Sequence, residues 1–196
     1  IASEKETLSG IKKYNQIIND SYFGEKTYER AEAKMQEVVV DNLIKRNDLC
    51  GKIDVMAMGD LSNQLAISNI TCSKHNIPYL GCYSACASFN EALIILANMI
   101  DAKKIKVGLG LTSSHRNVAE RQFRYPIEYG SPRLKRSTLT STGSVGVILS
   151  LEGKIKVESS TIGCVVNYGI TDVNNMGAVM APAAYDTLKK HLKELK

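Results

Sequence analysis

Long hydrophobic runs are missing from this chain of 196 residues. The most apolar stretch, Ala92 to Ile100, is broken by Asn98 and falls far short of the roughly 18 residues a membrane-spanning helix needs. No secretory leader pattern is visible. Proline is scarce at 4 positions and glycine modest at 14, which excludes a collagen-like or low-complexity chain. Five cysteines, Cys50, Cys72, Cys82, Cys86 and Cys164, form an odd set without a CxxC pair, so neither a disulfide framework nor a zinc site is implied. Strong charge of one sign is lacking too. Lys and Arg number 25 against 20 Asp and Glu, an excess of +5, too small by itself to imply a nucleic acid partner. Most of that excess lies between Arg116 and Arg136, and the rest of the chain is nearly neutral.

What is present is ordinary for a globular protein: 44% hydrophobic and 23% charged residues, enough to build a sizeable core within one domain. Ile1 in place of an initiating Met leads us to expect a processed or truncated product. Residues 1–25 show no clear period and read as loop or irregular helix. From Thr27, a plausible N-cap, Ala31, Met35, Val38, Val39, Leu43 and Ile44 recur at helical spacing. Ile53 to Met58 predicts a buried strand closed by Gly59-Asp60, with Asp60 placed to cap the helix expected over residues 62–76. Ile77 to Tyr83 predicts a second strand, and Ala87 to Ile100 a helix apolar on every side and therefore buried nearly all round. Ile105 to Leu111 predicts a third strand. Alternation of this kind argues for crossovers and a largely parallel sheet. The pattern then lapses over residues 112–142. Beyond it a hairpin of Ser144–Leu151 with Lys154–Glu158, a strand near Ser160–Val166 and a last helix opened by Pro182 are expected.

The feature richest in chemistry is Gly81-Cys82-Tyr83-Ser84-Ala85-Cys86-Ala87-Ser88, a strand turning into a helix. Cys86 falls at the start of that helix, where unpaired backbone N–H groups and the helix dipole favour a thiolate or a bound anion. The competing reading is a small apolar cysteine packed between sheet and helix. Ser84 and Ser88 suit capping. Thr112-Ser113-Ser114-His115 follows a strand, where open α/β sheets gather ligand groups, and His115 suits either a base beside the thiol or an ordinary loop histidine. Arg121 and Arg124 stand three apart, suited to a carboxylate or phosphate, or to an internal ion-pair network. Asn174-Asn175 forms a polar turn before the last helix.

These residues carry a resemblance. SACASFNEAL (84–93) after a strand resembles the nucleophile turn of the thiolase and ketoacyl synthase superfamily, whose cysteine falls on Cys86. GDLSNQ (59–64), IPYLGCYSAC (77–86), TSSH (112–115), AERQFRYPIEYG (119–130) and NNMGAVMAPAAYDT (174–187) are similar, in order along nearly the whole chain, to the stage V sporulation protein AD family. Three segments depart from that pattern: Cys164 and Asn167 stand where relatives carry Lys and Asp, Asp101-Ala102-Lys103-Lys104 replaces a glycine-rich turn, and residues 131–143 carry extra positive charge.

The resemblance implies an α/β, thiolase-like fold, of which this chain is the N-terminal half: a mixed, largely parallel sheet packed by helices, with a buried central helix. The opening strand and the second half are expected outside it. It further implies binding of dipicolinic acid, pyridine-2,6-dicarboxylate, by Cys86, Ser84, Ser113, Ser114, His115, Arg121, Arg124 and Asn175. No cofactor is expected, although the ligand can travel as a calcium chelate. Expected partners are other stage V sporulation membrane proteins and a second copy in a homodimer, with no nucleic acid. The place implied is the forespore or spore, peripheral at the inner membrane. Two alternatives stand beside this: an acyltransferase using Cys86 as nucleophile, and a scaffold whose Lys-rich last helix or basic loop faces anionic lipid.

Overall fold

A computed structural model describes residues 1–4, 6, 13–123, 140–172 and 175–195, the side chains of residues 120–123 excepted. Two compact units emerge. The first comprises Ile1–Arg124 and Thr140–Lys154, and the second takes in Ile155–Lys196.

The first unit is a six-stranded mixed sheet with helices on both faces. Its elements are β1 (Ala2–Ser3), β2 (Ile17–Ile18), α1 (Tyr28–Arg46), β3 (Val55–Gly59), α2 (Ala66–Cys72), β4 (Tyr79–Gly81), α3 (Ser88–Asp101), β5 (Val107–Ser114), α4 (Arg116–Phe123) and β6 (Gly143–Ser150). Strand order is β2-β1-β6-β5-β3-β4. The pairs β3–β4, β3–β5 and β1–β2 are parallel, whereas β6 runs antiparallel to both β5 and β1.

Sequence chemistry accounts for these elements. Thr27 caps α1 as expected, its hydroxyl accepting from the Arg30 N–H, and Lys45 and Arg46 complement the dipole in the last turn. All five residues of β3 are buried, because α1 covers one face and α3 the other. Met56 and Met58 join Val39, Val40, Leu109 and Leu111 on the α1 side, while Val55 and Ala57 meet Ala92 and Leu96 on the α3 side. Gly108 lets α3 lie close to β5: a Cβ there would come within 2.7 Å of Leu96 Cδ2. The chain leaves α3 through Lys103 at φ 59°, a left-handed position after a helix end that glycine usually fills.

Several expectations change. Residues 1–25 hold two short strands, and Ala2 pairs with both Ile17 and Gly143. The hairpin is absent among the described residues: β6 pairs along the whole of β5, Val107↔Ser150 to Ser114↔Gly143, and eight residues of ladder outweigh the local turn at Glu152-Gly153. The predicted helix over 62–76 is short, a 3-10 turn at Asn63–Leu65 leading into α2. Helix α3 buries one stripe, Ser88, Ala92, Leu96 and Ile100, rather than every side, because the sheet covers one face and Phe89, Leu93 and Ile94 stay half-buried.

In the second unit, α5 (Met176–Glu194) begins six residues before the expected start, so Pro182 lies inside it. Asn175 caps it, its Oδ1 accepting from the Ala178 N–H, and Met176–Ala181 carries the helix up to the proline. Residues 160–166 form no strand. Nothing in α5 is buried, and Val165, Ile155 and Tyr185 are 98%, 93% and 66% exposed.

Candidate functional site

The ends of β3, β4 and β5 lie side by side on one edge of the first unit, and each leads into a different chemical setting. At β4 the chain passes Gly81 and buries Cys82, whose N–H donates to the Met58 carbonyl. It then turns through Ser84 into a 3-10 turn at Ala85–Ala87 and on into α3. Ala85 sits at φ 46°, a strained left-handed conformation for a residue with a side chain. Cys86 follows it and is exposed. No side chain caps α3, whose cap position is Ala87; the 3-10 turn before it takes the Ala87 and Ser88 N–H groups onto the Ser84 and Ala85 carbonyls, so the positive end of the α3 dipole lies at the Cys86 turn.

The turn is fastened from beneath. Ser84 donates its N–H to Ser88 Oγ at 3.1 Å and its hydroxyl to Glu91 Oε2 at 2.6 Å. Gly59, at the end of β3, passes directly under it: a Cβ there would stand 2.6 Å from the Cys82 carbonyl oxygen and 2.7 Å from Ser88 Cβ. Two other cysteines of this unit differ from Cys86. Burial pushes the Cys82 thiol up to about 11 and that of Cys72 up to about 12, so both are inert thiols. Cys50 is exposed on the loop after α1.

At β5 the expected ligand groups are spent on the fold. Strand β5 runs through Ser114, so Ser113 and Ser114 belong to the strand rather than to a loop at its exit. Ser113 donates to Glu32 Oε1 at 2.7 Å and accepts from Gln36 Nε2 at 2.8 Å. Ser114 donates to the Ser141 carbonyl at 2.7 Å. His115 is 1% exposed. Its Nε2 lies 2.8 Å from the Ser21 carbonyl oxygen, its Nδ1 accepts the Asn117 N–H at 3.2 Å, and its ring stacks on Tyr28. Burial holds this imidazole below its usual value, the Ser21 carbonyl opposing. It is therefore neutral and occupied, and no partner for Cys86 in this arrangement.

Between these two ends lies a polar core that sequence reasoning missed. Asp60 accepts from the Ser62 N–H at 2.8 Å and the Ser62 hydroxyl, and from the Ser68 N–H and hydroxyl at 2.7 and 2.6 Å. It caps the start of α2 as expected, and it anchors more than that. Gln36 Nε2 bridges Ser68 and Ser113, so a continuous chain of hydrogen bonds joins Asp60 to Glu32. Burial, with the charge of Asp60 adding to it, raises Glu32 to about 8 against the Ser113 hydroxyl, so Glu32 is largely protonated at neutral pH. Glu32 and Gln36 are one helical turn apart beside Ala31, Ala33 and Met35. Their place on the buried face is the one signal of this core.

Of the remaining candidates, Arg121 lies in α4 with its side chain outside the described residues, and Arg124 lies outside them altogether. Asn175 belongs to the second unit as the cap of α5. Beside it an apolar hollow of about 260 Å³ is lined by Ile170, Thr171, Asp172, Met176, Val179 and Met180. The structure thus brings Cys86 together with Ser84, and separately groups Ser113, Ser114 and His115.

These features define an α/β protein whose mixed sheet presents an exposed cysteine on a strained strand-to-helix turn. The stage V sporulation protein AD family matches residues 2–196, and the chain belongs to that family. It is 38% identical over 184 residues to stage V sporulation protein AD of Bacillus subtilis (strain 168), covering 93% of this chain and 54% of that protein. The chain therefore spans about half the length of the curated relative it matches. Among solved structures it is similar to a ketoacyl-[acyl carrier protein] synthase III of Thermus thermophilus, with TM-score 0.47 and 9% identity over 63% of this chain and 37% of that one. It is also similar to OleA of Xanthomonas campestris, with TM-score 0.46 and 12% identity over 61% and 40%. Among the described residues no helix is long and apolar enough to cross a membrane.

Proposed function

We propose that this chain is the cysteine-bearing part of a protein that binds dipicolinic acid and assists its uptake into the developing spore, together with other stage V sporulation membrane proteins. The observation that carries the reading is the exposed Cys86 turn at the uncapped start of α3, in a chain that belongs to a sporulation family. Dipicolinate is a flat ring with two carboxylates. One carboxylate suits the turn beside Cys86 at the positive end of the α3 dipole, and the other needs a forked cation such as Arg121 or Arg124. With Ser113, Ser114 and His115 committed to internal bonds, the ligand set proposed narrows to Cys86, the α3 backbone and these arginines. Calcium, where it takes part, travels as a chelate of the ligand. The protein acts in the forespore or spore, peripheral at the inner membrane and as a homodimer, without nucleic acid.

Isothermal titration of the full-length protein with dipicolinate is expected to show saturable heat that is lost in Cys86→Ala and in Arg121→Ala. Absence of binding at millimolar ligand contradicts the reading.

A second reading has its own support, since an exposed cysteine after a strained residue at a helix start also suits a nucleophile. Incubation with several acyl-CoA donors followed by mass spectrometry separates the two. Acylated Cys86 supports an acyltransferase, and an unmodified Cys86 peptide removes that reading.

A further inference from the structure

We propose that Asp20–Thr27 is a strap latched across the end of β5 by neutral His115, and that protonation of this ring releases it. The argument is geometric and independent of what the protein binds. Nε2 of His115 faces the Ser21 carbonyl oxygen at 2.8 Å, which can only accept, so this nitrogen carries the ring hydrogen. Nδ1 faces the Asn117 backbone N–H at 3.2 Å, which can only donate, so this nitrogen carries the lone pair. One neutral tautomer satisfies both contacts. An imidazolium would set an N–H against an N–H inside a site that is 1% exposed, losing a hydrogen bond and burying a charge together.

The rest of the strap depends on this anchor. Tyr22 stacks on Tyr28 at 4.5 Å between ring centroids, and Tyr28 stacks on His115 at 5.0 Å, so the three rings form one pile crossing from strap to helix to strand end. Within the strap, the Asp20 carboxylate accepts from the Tyr22 and Gly24 N–H groups, both at 3.0 Å, and Phe23 and Gly24 adopt φ of 49° and 73°. Its second tie to the body is Lys34, which donates to the Phe23 carbonyl at 2.9 Å and pairs with Glu25 at 3.2 Å. That pair is partly exposed and exerts modest hold.

Among the described residues that face the ring, no anion stands ready to accept its charge. From α1 the neighbouring titratable groups are Tyr28 and Glu32, and Glu32, which accepts the His115 backbone N–H, is held protonated by burial up to about 8. From the strap they are Tyr22 and Asp20, the latter turned onto the strap's own N–H groups. From α4 the adjacent group is Arg116, itself a cation. The ring face of Tyr28 offers a cation some attraction, which does not replace the hydrogen bond lost at Nδ1. Burial keeps the folded ring below its ordinary 6.5. The released form therefore binds the proton more tightly, and the latch stays closed above that value and weakens as the pH falls beneath it.

Amide hydrogen exchange across residues 21–25 of the full chain tests this. After correction for intrinsic chemistry, protection is expected to drop by up to about tenfold for each pH unit from the released ring's ordinary 6.5 down to the midpoint of the latched ring, and to level off below it. His115→Gln, which has no titrating ring, is expected to show no such dependence. Long-range nitrogen–proton NMR of the wild-type ring supplies a readout that does not need the variant to fold. It is expected to show the hydrogen on Nε2 at neutral pH and a midpoint at the acid end of the interval over which protection is lost. A ring protonated at Nδ1 in its neutral form, protection unchanged while the ring titrates, or the same pH response in His115→Gln would each overturn the proposal.

Discussion

Two strand ends of the same sheet, separated by the width of β3, treat their polar groups in opposite ways. At the end of β5, Ser113, Ser114 and His115 hold internal partners, and Glu32, Gln36, Ser68 and Asp60 extend that chain of bonds through the interior. At the end of β4, Cys86 is exposed, Ala85 is strained and the helix that follows lacks a side-chain cap. Buried polar groups that satisfy one another stabilise and rigidify a fold. An exposed thiol held on a strained turn contributes nothing to stability that a smaller residue would not, which is consistent with the role proposed for Cys86. The lesson is that residues of equally promising type divide into scaffold and candidate site according to where their hydrogen bonds go.

The sharpest way to break this comparison is Asp60→Ala. It leaves the N–H groups and hydroxyls of Ser62 and Ser68 without their acceptor, and a loss of about 3 kcal/mol is expected in urea unfolding. A midpoint shift worth less than about 1 kcal/mol would show that the interior chain is dispensable. Glu32→Gln probes the same region through pH. Folded Glu32 titrates near 8 against an ordinary 4.5, so above 4.5 the folded state holds a proton that the unfolded state has released. Stability therefore falls as pH rises toward 8, with a slope of up to about 1.4 kcal/mol per pH unit. His115 contributes the opposite slope only below its ordinary 6.5, and the Ile1 ammonium, held by burial below its ordinary 8.0, contributes it up to that value, so from neutrality to 8 it is the difference between variant and wild type that isolates Glu32. The variant is expected to flatten that interval, and superimposable profiles for variant and wild type would contradict the assignment.

Effects at the other end are smaller. Ala85→Gly relieves the positive φ and is expected to stabilise by up to about 1 kcal/mol. A destabilisation would mean that Ala85 is not strained. Ser84→Ala removes an exposed hydrogen bond to Glu91 and is expected to change stability by no more than about 0.5 kcal/mol. A loss approaching that of Asp60→Ala would make this turn as structural as its neighbour.

Helix α1, strands β3 and β5 and the presence of helix α3, though not its single buried stripe, were legible in the sequence, because each carries an apolar pattern and meets a turn or cap residue at its boundary. The same reasoning placed Cys86 on a turn into a helix and gave Asp60 its capping role. What escaped it was set by distant partners. Strand β6 ignores its nearest neighbour for β5, and α5 starts at Asn175 because that side chain caps it ahead of Pro182. Glu32 and Gln36 look like surface residues in composition, and only the fold shows Ser113 and Ser68 waiting for them. His115 escaped for the same reason, since Ser21 lies 94 residues away in the chain.

Protection of thiols by ligand tests the central claim most directly. The full-length protein is alkylated with and without saturating dipicolinate, and each cysteine is followed by mass spectrometry. The account predicts that Cys86 and Cys50 react freely in the unliganded protein while Cys72 and Cys82 resist, and that the ligand slows Cys86 about tenfold or more while leaving Cys50 unchanged. Equal reactivity of Cys86 with and without dipicolinate would contradict it.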